Sequence, residues 1–169
     1  MRASPRLLLA IAAVTMATNA QAQVRERMPE PGWTTFVIPE YGTRVDYPAG
    51  IFVPTGEPEK GTGQRFGSAD GRAILSVYAR DNEAGDTPAG YVSKNLRVER
   101  GALDYQRIAP SFFAISMERD GLIYYSRCNF SRGGVRAIHC FDLIYPQAEK
   151  RAWDAVVTRI SLSLRPLES

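Results

Sequence analysis

The chain's one histidine, His139, stands beside one of its two cysteines, Cys140, with Asp142 close behind. Imidazole, thiol and carboxylate are the parts of a nucleophilic site: a base takes a proton, the nucleophile attacks, and a carboxylate orients the base. Their spacing argues against that use. On an extended strand adjacent side chains point to opposite faces, so His139 faces away from Cys140 and also from Asp142, an odd number of residues on. A Ser–His–Asp or Cys–His site would have to be completed from other strands. His139 therefore reads as a packed or sheet-surface residue.

Other chemistry-bearing patterns are also incomplete. Gly61-Thr62-Gly63 with Gly67 echoes a phosphate loop, but a strand follows where the phosphate chemistry needs a helix N-terminus, so a flexible loop is expected. Gly67-Ser68-Ala69-Asp70-Gly71 lacks nucleophile-elbow spacing and turns strand to strand. Asp81, Glu83 and Asp86 lack the alternating register and terminal bidentate glutamate of a calcium loop and read as a solvated turn. One histidine and two cysteines are too few soft ligands for a closed zinc site. No metal and no cofactor is expected. The richest neighbourhood left is aromatic and basic: Tyr124, Tyr125, Phe141 and Tyr145 with Arg127 and Arg136. Such a surface suits a protein partner, an acidic ligand or a glycan, although arginine stems covering packed rings would look the same in sequence.

The elements that must position these residues follow from periodicity and turns. Short strands are expected at Trp33 to Ile38 and Thr43 to Tyr47, around a turn at Tyr41-Gly42, with Ile51 to Val53 as a further apolar piece. Pro54 to Gly63 is expected to be an exposed loop. Asp70-Gly71 marks a hairpin between Arg65-Phe66 and a strand from Arg72 to Arg80. Leu75, Val77 and Ala79 share one face of that strand and Ile74, Ser76 and Tyr78 the other. Thr87-Pro88 opens a helix, with threonine as cap and proline at its first position, and Gly101 is the expected stop. Leu103 to Ala109, Phe112 to Arg119, Leu122 to Phe130 and Val135 to Tyr145 then form a meander, joined at Pro110-Ser111, Asp120-Gly121 and Gly133-Gly134. Connections this short force antiparallel pairing. Pro146 ends the last strand and a second helix follows, its apolar stripe being Ala152 or Trp153, Val156 or Val157, and Ile160. The fold class is α+β: an antiparallel sheet with one internal and one C-terminal helix packed on it.

The last hairpin decides whether Cys128 and Cys140 can meet. A three-residue loop of Gly133-Gly134-Val135 pairs Arg132 with Arg136 and sets the two cysteines directly opposite. A two-residue Gly133-Gly134 loop sets Cys128 against His139 and turns the sulfurs to opposite faces. The first register is favoured, and with it a disulfide; two free buried thiols are the alternative.

This order of elements resembles the PsbP-like fold. The resemblance rests on Val45-Asp46-Tyr47-Pro48 with Phe52, Asp70-Gly71 before a strand, the Gly121 to Tyr125 strand, Tyr145-Pro146, and the closing Ile160-Ser161-Leu162-Ser163-Leu164. The chain also resembles secreted proteins of alphaproteobacteria. The resemblance implies a binding or assembly role more than an enzymatic one and assigns no functional residue.

Arg2 and Arg6, the apolar run Leu7 to Ala17 and the small residues of Ala20-Gln21-Ala22 form a secretory leader. The run is shorter than the ~20 residues that span a bilayer. Residues 1–22 are read as a signal peptide, 23–32 as a flexible lead-in and 33–166 as one domain, with no membrane span after cleavage. A periplasmic or secreted location follows. The net charge of +3 over 169 residues, part of it in the leader, gives no clustered basic surface for nucleic acid. The expectation is a small exported non-catalytic module that binds a periplasmic protein or small ligand, or serves envelope assembly. An envelope enzyme with an unrecognised carboxylate or serine site is the alternative, and a mainly structural stability factor a third reading.

Overall fold

The computed structural model describes residues 32–96, 103–131 and 136–166. The leader and most of the lead-in lie outside the described residues, as do Gly101 and the Gly133-Gly134 turn.

The chain opens with an antiparallel pair, β1 (Trp33–Ile38) and β2 (Thr43–Pro48), joined by a single 3₁₀ turn that ends at Gly42 with φ 62°. Next come β3 (Phe52–Gly56), β4 (Thr62–Ser68), β5 (Ile74–Asp81) and α1 (Pro88–Asn95). The meander follows as β6 (Tyr105–Ala109), β7 (Phe112–Arg119), β8 (Leu122–Phe130) and β9 (Ala137–Pro146). A 3₁₀ turn then leads into α2 (Lys150–Ser163) and a two-residue strand, β10 (Arg165–Pro166). The result is α+β with antiparallel pairing throughout, as expected, but in two sheets where one was expected. Seven strands run in the order β3-β4-β5-β9-β8-β7-β6, and β1-β2-β10 form a separate sheet of three.

Several boundaries differ from expectation. The stretch Pro54 to Gly63, expected as loop, contributes most of β3 and the start of β4. Its prolines and glycines are tolerated because β3 is an edge strand, bulged between Pro54 and Gly56, and an edge strand has no second ladder to break. Gly61 and Gly63 are not a ligand cradle either. A Cβ at Gly61 would lie 2.3 Å from the Ala79 carbonyl oxygen, and one at Gly63 would lie 2.0 Å from that of Val77. These glycines let β4 lie close against β5. The first meander strand starts at Tyr105, not Leu103, and α1 ends at Asn95, short of the expected stop at Gly101.

Both helices begin and pack as their sequences dictate. The Thr87 hydroxyl accepts from the Gly90 amide at 3.1 Å, and Pro88 takes the first helical position. In α2, Trp153, Val157 and Ile160 form the buried stripe. One face of the large sheet, carrying Leu75, Val77, Phe141 and Leu143, packs against α2 and the small sheet. The opposite face, with Tyr78, Phe113, Ile138 and the two cysteines, packs against Tyr91 and Val92 of α1.

Cys128 and Cys140 are directly opposed on β8 and β9 and joined in a disulfide. This is the register that the three-residue loop demands. Among the described residues, no helix is long and apolar enough to cross a membrane.

Candidate functional site

His139 is 1% exposed and lies on the α2 face of β9, while Cys140 and Asp142 lie on the α1 face. Its Nδ1 is 2.7 Å from the Thr43 hydroxyl and its Nε2 is 2.7 Å from that of Ser131. Thr43 belongs to β2, so this imidazole is a buried polar pin between the two sheets. Burial holds its pKa below the ordinary 6.5, so the ring is neutral at pH 7. Asp142 accepts from Ser126 Oγ at 2.6 Å and from the Tyr78 hydroxyl at 3.1 Å. Burial pushes its carboxyl up. Serine and carboxylate thus meet on one face and the imidazole sits on the other. In the acidic turn, Asp86 pairs with Lys94, and Asn82 closes the loop onto the backbone of Asp86. Among the described residues, no cluster of histidine, cysteine or carboxylate side chains could hold a metal ion.

The six residues of the aromatic–basic neighbourhood separate. Phe141 is fully buried in the core. Tyr124 lies on the opposite sheet face from Tyr125, as the two-residue period requires. Arg136 is exposed just before β9, with its guanidinium beside Gly85. Tyr125, Arg127 and Tyr145 remain on one face, and they line a groove of about 560 Å³ between α2 and the β6–β8 part of the sheet.

Strand register builds this groove as a grid. Arg107 of β6 pairs with Ala114 of β7, which pairs with Arg127 of β8. One row along, Tyr105, Ser116 and Tyr125 stand in line, and on the other side Ala109, Phe112 and Asn129. An arginine and a tyrosine thus rise on each outer strand, with small residues between them. The Arg127 guanidinium lies 4.5 Å and that of Arg107 5.4 Å from the centroid of the Phe112 ring. Such contacts orient a cation without neutralising it.

Helix α2 forms the other wall. The Ser161 hydroxyl lies 3.0 Å from that of Tyr125 and accepts from Arg127 Nη1 at 3.0 Å. Arg127 Nε donates to Asn129 Oδ1 at 3.2 Å, and Asn129 in turn donates to the Leu164 carbonyl at 2.7 Å. Burial lowers the Arg127 pKa, Arg107 adds like-charge repulsion, and Tyr125 and Tyr105 act the other way. The group stays cationic at neutral pH, because a guanidinium ordinarily titrates far above it. Burial raises Tyr125 and Tyr145, so both remain neutral phenols. Asp104 and Asp154 line the groove but form no ion pair with either arginine among the described residues. Arg107 has no side-chain hydrogen bond there either, and Leu162, at the groove rim, is 73% exposed.

Tyr105, Arg107, Phe112 and Ser161 were not among the residues singled out from sequence. A signal existed for the first three. A tight turn at Pro110-Ser111 sets Ala109 opposite Phe112, and one at Asp120-Gly121 sets Arg119 opposite Leu122. Counting back from both turns yields the grid. The position of Ser161 depends on how α2 lies across the sheet, which no local pattern encodes.

The chain is similar to the solution structure of cyanobacterial PsbP (CyanoP) from Synechocystis sp. PCC 6803, with a TM-score of 0.57 and 13% sequence identity. The match covers 80% of this chain and 93% of that one. The fold is PsbP-like, as the order of elements implied. No family model and no curated protein matches the chain.

Proposed function

We propose that this chain is an exported, non-catalytic binding module and that its binding site is the groove between α2 and β6–β8. One observation carries the reading. Arg107 and Arg127 stand on opposite sides of Ala114 beside one aromatic ring, and no carboxylate among the described residues pairs with either. Two guanidinium groups without counter-charge form a surface that gains when an acidic group arrives. Groove size agrees, since sites for small ligands run to about 300–1,000 Å³. Half-buried aromatic and arginine side chains are also the types that dominate binding energy at protein interfaces. The leader and the disulfide favour an oxidising compartment outside the cytoplasm.

The test compares the wild-type protein with Arg107→Glu and Leu162→Asp, two exposed substitutions at the groove. Each is immobilised and challenged with an extract of the source organism's envelope, and retained proteins and small molecules are identified by mass spectrometry. A component held by wild type and released by both variants supports the reading. Retention unchanged by both variants, with Tm preserved, would refute it.

A further inference from the structure

The grid of side chains narrows the kind of ligand, on the premise that the groove is the binding site. We propose that it takes an aromatic oxyanion: a carboxylate or phosphate held between Arg107 and Arg127, on a flat ring seated over Ser116 between Tyr105 and Tyr125.

The charge argument concerns cost. Both guanidinium groups lie against Phe112, and Arg107 opposes the charge of Arg127. Arg127 is held in place by Ser161 and Asn129 and sits near the C-terminal end of α2, where the helix dipole favours a cation. Arg107 has no such support among the described residues. An oxyanion bridging the pair would remove the repulsion and accept hydrogen bonds from donors whose planar fork fits carboxylate and phosphate alike.

The shape argument comes from strand spacing. Tyr105 and Tyr125 are on strands separated by one other, so their backbones stand about 9–10 Å apart. A flat ring in contact on both sides occupies about 7–8 Å. The residue between them is Ser116, small enough to leave the gap open. One row along, Ala114 is only 2% exposed, so an approaching anion meets the arginine heads and not the sheet floor. The acidic residues Asp104 and Asp154 lie toward the tyrosine end: Asp104 directly precedes Tyr105, and Asp154 is close enough to Tyr145 to raise its pKa. Lys150, the first residue of α2, lines the same groove, which is therefore basic at the Phe112 end and mixed at the other, and this fixes the orientation of a one-ended anion.

The experiment titrates the purified protein with 2-naphthoate and 2-naphthyl phosphate. The uncharged 2-naphthamide and the ringless anions acetate and inorganic phosphate serve as controls, with affinity read by calorimetry and location by amide chemical shifts. At least one naphthyl anion is expected to bind at least tenfold more tightly than all three controls, with shifts centred on Ala114 and Ser116. The tighter of the two identifies the preferred head group. Arg107→Ala is expected to weaken it at least tenfold with Tm unchanged. Equal binding of naphthamide, equal binding of the ringless anions, shifts centred elsewhere, or an unaffected Arg107→Ala variant would each overturn the proposal. If neither naphthyl anion binds while Arg107→Glu still releases a captured component, the ligand class is wrong and the groove reading stands. If neither probe binds and Arg107→Glu captures as wild type does, both fail.

Discussion

At the scale of single residues, His139 is the most informative side chain, because both ring nitrogens are engaged by hydroxyls in a site closed to water. His139→Ala removes both hydrogen bonds, strands Thr43 and Ser131, and leaves a void. The expected destabilisation is about 2–4 kcal/mol in a urea or thermal melt, while ligand capture by the folded fraction is unchanged. The pH dependence follows from burial, which holds the folded pKa below the ordinary 6.5 of the unfolded chain. Below that value the unfolded state takes up the proton more readily than the folded state. This group's contribution is thus complete above pH 6.5 and is lost progressively as pH falls toward the depressed folded value. Melting curves from pH 8 to 5 should show a steeper loss for wild type than for His139→Gln, and parallel curves would contradict this account. Sequence alone could exclude a pairing of His139 with Cys140 or Asp142, since period-two geometry separates them. It could not supply Thr43, which arrives from a strand 96 positions away.

At the scale of elements, short turns control the long-range geometry. The Asp120-Gly121 turn takes positive φ at both residues, 53° and 73°, which suits the right-handed twist of the strands it joins. It sets β7 against β8 and thereby places Arg127 in line with Ala114. The same logic links the cysteines, whose opposition was legible from the choice between two- and three-residue loops. Removing the crosslink by Cys128→Ala with Cys140→Ala should cost about 2–3 kcal/mol, the scale for closing a loop of this length. Chemical denaturation with and without reductant checks that figure. The β3–β4 segment was less legible, because proline and glycine ordinarily signal loop. What the sequence did not show is how closely β4 approaches β5. Gly61→Ala should lose about 2–4 kcal/mol, since it combines a left-handed φ of 68° with a Cβ driven against the Ala79 carbonyl. A melting temperature within a degree of wild type would show that the strands can part to admit a methyl group.

At the scale of the whole molecule, the antiparallel meander and both helices could be read from turns and periodicity, whereas the second sheet and the placing of α1 and α2 on opposite faces of the large one could not. The second sheet's third strand is only Arg165–Pro166, too short to carry a pattern, and is defined by its pairing with Arg44 and Thr43 of β2. The proposed export makes a prediction at this scale: mass spectrometry should give a mature chain beginning at Gln23, and intact Met1-containing protein in the membrane fraction would contradict it. The pairing of β10 has a temporal consequence. β1 and β10 flank β2, so one three-stranded sheet gathers the beginning and the end of the domain. Ser163, accepting from the Asp46 amide at 2.8 Å, fastens α2 to that same strand. A chain made from its N-terminus, or threaded in that direction through a pore, presents β1 and β2 first. It must then wait for more than a hundred further residues before their partner emerges. Until Ser163 is out the groove lacks its helical wall, and until Pro166 is out the hairpin has an open flank. Completion of synthesis, or of passage, is the event that lets this domain close.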